Sequence, residues 1–154
     1  AVTSGMKIIY HNRHRLDKDI EDKYDAEFVD FDTLLKESDF ISLNAPATAE
    51  TKHLISEAEF KKMKQTAILI NAARGSLVDE KALIEALHNG DIYAAGLDVY
   101  ENEPKISPEL FDLENVVLTP HAGTKTLAAR LDMQREVAKN IIGFFEGKKI
   151  SRVN

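Results

Sequence analysis

The chain has 154 residues, 44% hydrophobic and 30% charged, with a net charge of −6 and no cysteine. That length suffices for one domain with a core, and an acidic balance without a basic run argues against a nucleic-acid or anionic-membrane surface. The absence of cysteine excludes disulfides and thiol chemistry and fits a cytoplasmic protein, and no apolar stretch reaches the ~18 residues that span a bilayer.

In chain order, short β-branched runs alternate with amphipathic stretches. "AVTSGM" reads as the end of a helix closing at Gly5, just ahead of the strand "KIIY". It lacks the charged and then apolar form of a secretory leader. The helix-like "LDKDIEDKY", the strand "AEFV", the helix-like "DTLLKES" and the strand "FISLN" follow. "SEAEFKKMK" opens with the capping-box pair Ser56 and Glu59. "AILIN" is apolar enough for a strand buried on both faces, and "DEKALIEALHNG" ends at Gly90, where a C′ glycine belongs. After the strand "IYAAGL", Ser107 and Pro108 announce a short helical turn, and "VVLT" is the last strand. From about Thr124 to Glu146 the pattern is one long helix closed by Gly147, with Leu127, Leu131, Ala138, Ile141 and Phe145 roughly along one face.

This rhythm, without repeats or linkers, predicts one compact α/β unit: a three-layer Rossmann-type parallel sheet with helices on both faces. Such a sheet opens with a strand and a G-x-G-x-x-G turn at a helix N-terminus, and no such motif occurs in the chain. The expectation is therefore a chain that enters the fold just after its phosphate loop, lacking the first strand. In the strand order 3-2-1-4-5-6, "KIIY" and "FISLN" then flank a gap with unpaired backbone groups. On this reading residues 1–154 are a partial dinucleotide-binding domain of a longer chain. Residues 124–154, the long helix and the tail "KKISRVN", run back towards an absent substrate domain.

Three stretches carry candidate chemistry. "INAARGS" places Arg74 after a buried strand, at the carboxyl edge where α/β sheets bind ligands. A guanidinium there holds a carboxylate through two parallel hydrogen bonds, although a strand-end arginine also suits an ordinary surface ion pair. "GLDVYENEP" ends a strand at Asp98 and brings Glu101 and Glu103 into a loop stopped by Pro104. Either acid can orient an imidazole and keep it protonated as a general acid, or simply be solvated. "VVLTPHAG" stops its strand at Thr119-Pro120, because proline has no N–H to donate, and presents His121. His53 and His88 read as solvated or capping, and no His or acidic pair has metal-ligand spacing.

The run "INAARGSLVDEKALIEALHNGDIYAAGLDVYENEP" followed by "NVVLTPHAG" resembles the D-2-hydroxyacid dehydrogenases, especially the glyoxylate/hydroxypyruvate reductase branch, over essentially the whole chain. The resemblance implies hydride transfer between NAD(P)H and a small 2-keto acid or D-2-hydroxy acid. It places the catalytic arginine on Arg74, the glutamate on Glu103 and the histidine on His121. Nicotinamide contacts fall on Asp98 and the backbone around Ala72 and Ala73, with further cofactor contacts on Ala45, Pro46 and Gly123. Formate dehydrogenases share the fold but carry glutamine at the Glu103 position, so Glu103 points to proton transfer on a keto acid. A homodimer is implied for the full-length parent, with no metal, nucleic acid or membrane partner. The competing reading is a non-catalytic NAD(H)-sensing module resembling the C-terminal binding protein corepressors.

Enzymes that choose NAD usually place an acid after the second strand, for the adenosine ribose hydroxyls. Here that junction reads "YHNRHR", with Asn12 and Arg13 and no acid until Asp17. Arg13 matches the arginine of NADP-using glyoxylate reductases and can pair with a 2′-phosphate. NADP is the expected cofactor, with NAD as the alternative.

Overall fold

The computed structural model describes residues 2–148 and 150. One compact unit runs up to Thr119 and a second starts at Pro120.

The first unit is parallel α/β throughout. Strand β1 (Ile8–Tyr10) is followed by helix α1 (Lys18–Tyr24), β2 (Ala26–Phe28), α2 (Phe31–Glu37) and β3 (Phe40–Leu43). Helix α3 (Glu57–Phe60), β4 (Ile68–Asn71), α4 (Glu80–Asn89), β5 (Ala94–Leu97) and β6 (Val116–Leu118) complete it. Side-chain caps and a left-handed glycine mark the helix ends, at Gly90 and at the Ser56–Glu59 pair as the sequence predicts and at Asp30 and Asp79 in addition. Asp30 accepts the Thr33 N–H at 2.9 Å at the start of α2, Asp79 accepts the Ala82 N–H at 3.1 Å at the start of α4, and Gly90 closes α4 at φ 74°. In α3 the Glu59 carboxylate reaches back to the Ser56 N–H at 3.1 Å.

The strands form two sheets. One is the parallel pair β1–β2, the other a four-stranded sheet in the order β3-β4-β5-β6. β1 and β3 are not paired with each other, so the sheet divides where the sequence predicts a gap. Within the larger sheet Leu43 pairs with Asn71, Asn71 with Leu97, and Leu97 with Leu118. The four carboxyl ends are thus in register, and the segments that follow them emerge along one edge.

Alternation along these strands buries Ile41, Leu43, Leu69, Ala95 and Leu97 in one cluster with Phe60, Leu83 and Leu87 of the helices. Helices flank the sheet on both sides, but the opposite face is covered less tightly. Ile70 is 37% exposed and Val117 67%, so "AILIN" is buried on one face rather than on both.

The second unit contains α5 (Leu127–Phe145), capped by the Thr126 hydroxyl, which accepts the Ala129 N–H at 3.2 Å. Gly147 follows the helix at φ 68°. Leu127, Leu131, Ile141 and Phe145 are all exposed, and Gly143 is the buried residue of the helix. The chain thus divides into two compact units where its pattern predicts one. Of the tail, Lys149 and residues 151–154 lie outside the described residues.

Candidate functional site

The carboxyl edge of the larger sheet collects most of the residues singled out in the sequence. Ala45 and Pro46 follow β3, Ala72, Ala73 and Arg74 follow β4, and Asp98 follows β5. Asn71, 1% exposed, organises the turn after β4. Its side-chain amide donates to the Arg74 carbonyl at 3.0 Å and its Oδ1 accepts the Ala73 N–H at 3.1 Å. Its own carbonyl accepts the Asp98 N–H at 2.9 Å. The buried side-chain amide thus fixes the turn after β4, and the Asn71 main chain joins it to the end of β5. Asn71 does not stand out among the strand-end residues of the sequence, although a lone polar residue ending an apolar strand is the signal that marks it.

Arg74 is exposed and donates from Nη1 to the Ala73 carbonyl at 2.7 Å. It makes no salt bridge among the described residues, so the ordinary ion-pair reading does not describe it. Gly75 comes next for a steric reason. A Cβ at this position would stand 2.0 Å from the carbonyl carbon and oxygen of Tyr100 and 2.6 Å from the Glu101 nitrogen. Only glycine lets the turn of Arg74 lie directly on the loop that carries Glu103.

That loop separates the two acids between which the sequence left a choice. Glu101 Oε1 lies 2.6 Å from His53 Nε2, and its Oε2 accepts the Glu80 N–H at 3.4 Å. Buried Glu80 answers by accepting the Glu101 N–H at 3.1 Å and the Ser107 hydroxyl. Glu101 is therefore a structural anchor. His53, held at φ 52°, is its partner rather than a solvated or capping residue, because the chain around it is zipped to the residues after Arg74 through His53 N–H to the Ser76 carbonyl at 2.8 Å. Glu103 is exposed and accepts the Tyr100 N–H at 3.0 Å.

Buried Tyr100 ties this loop to the end of β6, donating its hydroxyl to the Thr119 carbonyl at 2.7 Å. Burial, and then the charge of Asp98, push its phenol above the usual range. The Thr119 hydroxyl donates to Asp98. In the second unit His121 adopts φ 50°, a left-handed conformation uncommon for any residue but glycine, and it is exposed, as is Gly123.

Asn12 and Arg13 follow β1 in an exposed bend. Arg13 makes no hydrogen bond or salt bridge among the described residues. Its charge reaches the loop after β3: Glu50 is held below the usual carboxylate range by its hydrogen bond with Thr48 first, and also by Arg13. Asn12, Arg13 and His14 carry hydrogen-bond donors and no carboxylate, a donor set that fits a phosphorylated adenosine ribose.

A groove of about 700 Å³ on the less tightly covered face of β4–β6, lined by Ile70, Tyr93, Gly96 and Val117 among others, lies away from this edge. Among the described residues no helix is long and apolar enough to cross a membrane, and no His, Asp or Glu cluster could hold a metal ion.

Comparison with known proteins places the chain. Residues 1–123 match the family described as D-isomer specific 2-hydroxyacid dehydrogenase, NAD binding domain. A glyoxylate reductase of Thermococcus litoralis is 57% identical over 144 residues, which cover 94% of this chain and 43% of that protein. The crystal structure of a glyoxylate reductase from Paecilomyes thermophila superposes with a TM-score of 0.91 at 44% identity, covering 99% of this chain and 46% of the other. An NADPH-dependent glyoxylate/hydroxypyruvate reductase from Sinorhizobium meliloti, in complex with NADP and malonate, gives a TM-score of 0.87 at 32% identity, covering 94% and 44%. The chain spans less than half the length of these relatives. With an in-register parallel sheet, its polar groups gathered on the carboxyl edge and this match, the chain belongs to the NAD-binding domain family of the D-isomer-specific 2-hydroxyacid dehydrogenases.

Proposed function

We propose that the protein carrying this chain is an NADP-preferring reductase of a small 2-keto acid, glyoxylate or hydroxypyruvate in kind, which also runs in the D-2-hydroxy acid direction. The observation that carries this reading is Arg74. It is a guanidinium with no salt bridge among the described residues, on a turn fixed by Asn71 and seated through Gly75 on the Glu103 loop.

In this role Arg74 grips the substrate carboxylate through paired hydrogen bonds and polarises the adjacent keto group. His121 donates a proton to the carbonyl oxygen, and takes it back in the reverse direction. Glu103 is the carboxylate that orients this imidazole. The bound nicotinamide supplies the hydride. Asp98, Gly123, Ala45, Pro46 and the backbone of Ala72 and Ala73 hold it, while Asn12 and Arg13 take the adenosine end, with Arg13 on the 2′-phosphate of NADP. NAD is the second cofactor in order of preference. The reported relatives are reductases, which disfavours the sensing module.

We further read α5 as the segment that runs towards a substrate domain, its exposed Leu127 and Phe145 offering apolar surface. The whole protein is read as a cytoplasmic homodimer.

The test is turnover of glyoxylate and hydroxypyruvate by the protein carrying this chain, with NADPH and with NADH. NADPH-dependent reduction is expected, abolished in His121→Gln and strongly raised in KM by Arg74→Ala. Cofactor binding without turnover of any 2-keto acid would restore the sensing module.

A further inference from the structure

We infer that Tyr10, Arg15 and Glu21 form a brace that holds the loop after β1 in one shape, and so position Arg13 to select a 2′-phosphorylated cofactor. The inference rests on the reading of Arg13 given above and adds three residues to which no role has been attached.

The geometry is a closed ring of hydrogen bonds. The Tyr10 hydroxyl, on the last residue of β1, accepts the Leu16 N–H at 2.9 Å and donates to Glu21 Oε1 at 2.5 Å. Arg15 grips both oxygens of the same carboxylate, Nε to Oε1 at 2.8 Å and Nη2 to Oε2 at 2.9 Å. Glu21 itself is 7% exposed. The other end of the loop is tied as well. His11 Nδ1 lies 2.9 Å from the Val29 carbonyl, and the ring stacks on Phe28 with centroids 5.8 Å apart. Between these anchors stand Asn12, Arg13 and His14, all exposed and without a hydrogen bond or salt bridge among the described residues.

Two consequences follow. Of the two arginines in the loop, Arg15 has its charge compensated by Glu21, so it adds little attraction for a phosphate, whereas Arg13 keeps its own. And because the loop is closed before any ligand arrives, Arg13 binds without first having to order its backbone, which is how preorganisation raises affinity. That advantage applies to NADPH and not to NADH, which has no 2′-phosphate. A residue needed only for folding would affect both cofactors alike.

The experiment is equilibrium binding of NADPH and NADH to the protein carrying this chain, followed by cofactor fluorescence, for Arg13→Ala, Glu21→Gln, Tyr10→Phe and the double variant Arg13→Ala/Tyr10→Phe. Arg13→Ala is expected to weaken NADPH by about tenfold or more, the scale of one charge-assisted hydrogen bond, with NADH little changed. Glu21→Gln and Tyr10→Phe are expected to weaken NADPH severalfold and NADH hardly at all. The double variant should be no worse than Arg13→Ala, because the brace acts through Arg13. Tyr10→Phe keeps the ring that meets Phe28 edge-on at 5.4 Å, so it decides the matter if circular dichroism shows Glu21→Gln unfolded. Equal losses for both cofactors, or additive losses in the double variant, would overturn the brace while leaving Arg13 as the selector. An unchanged NADPH-to-NADH ratio in Arg13→Ala would overturn the 2′-phosphate reading and the brace with it.

Discussion

The two sheets of the first unit are built from the same alternation of strand and helix, yet they cohere by different physics. Every buried hydrophobic side chain among the described residues lies between Leu35 and Leu110, in and around β3–β6. The β1–β2 pair contributes half-buried strands, and its buried side chain is a charged one, Glu21. Its rings meet edge to face, with the Arg15 guanidinium 6.0 Å from the centre of Phe28. A parallel pair without its own apolar core can be fastened by one carboxylate with several donors. Such a fastening orients a loop well but answers to pH in a way an apolar core does not.

Truncating an equivalent strand residue in each sheet should show the largest difference between the two. Leu69→Ala, at a fully buried site, is expected to cost ~2–5 kcal/mol in urea unfolding, and Ile9→Ala, half-buried, a small fraction of that. Equal costs would mean that the β1–β2 pair shares the main core. Gly75→Ala comes next, because its Cβ would fall 2.0 Å from Tyr100 backbone atoms that cannot swing aside. It is expected to cost about 3 kcal/mol, at the upper end of overpacking, and to reduce keto-acid turnover by displacing Arg74.

Acid should then separate the regions without mutation. Hydrogen bonds from Arg15, then from Tyr10, hold the Glu21 carboxyl down at about 2, against its ordinary value of 4.5. A depressed carboxylate stabilises the fold above its unfolded value, and this contribution is lost as pH falls from about 4.5 towards 2. Hydrogen exchange is expected to quicken in β1–β2 before β3–β6 across that window, and Glu21→Gln should remove the difference. The smallest effect is electrostatic. Glu50 shares the field of Arg13, so Glu50→Gln is expected to tighten NADPH by about twofold, the scale of an exposed charge pair, without altering NADH. Loosened NADPH would mean that Glu50 helps to place Arg13 rather than competing for it.

Much of this was legible in the chain alone. The six strands follow from β-branched runs, the caps of α3 and α4 from Ser56, Glu59 and Gly90, and the place where the sheet divides from the missing Gly-rich turn between neighbouring strand patterns. Arg74, Asp98 and Glu103 were legible as strand-end or loop polar residues. The choice between Glu101 and Glu103 was not, because both are acids two positions apart and only a distant partner, His53, distinguishes them. The exposure of α5 was equally hidden, since an amphipathic pattern states which face is apolar and not whether anything covers it.

The α/β rhythm, several helix ends and the residue types at the strand ends are written in the order of residues, because they depend on local periodicity and on backbone groups a few positions apart. Tertiary structure alone decided that Asn71 orders the Arg74 turn, that Gly75 must lack a side chain, that Glu101 is spent on His53, and that Arg15 is neutralised while Arg13 is not. Each of these rests on atoms brought together by the register of parallel strands or the closure of a loop, and residue order does not encode distance through space.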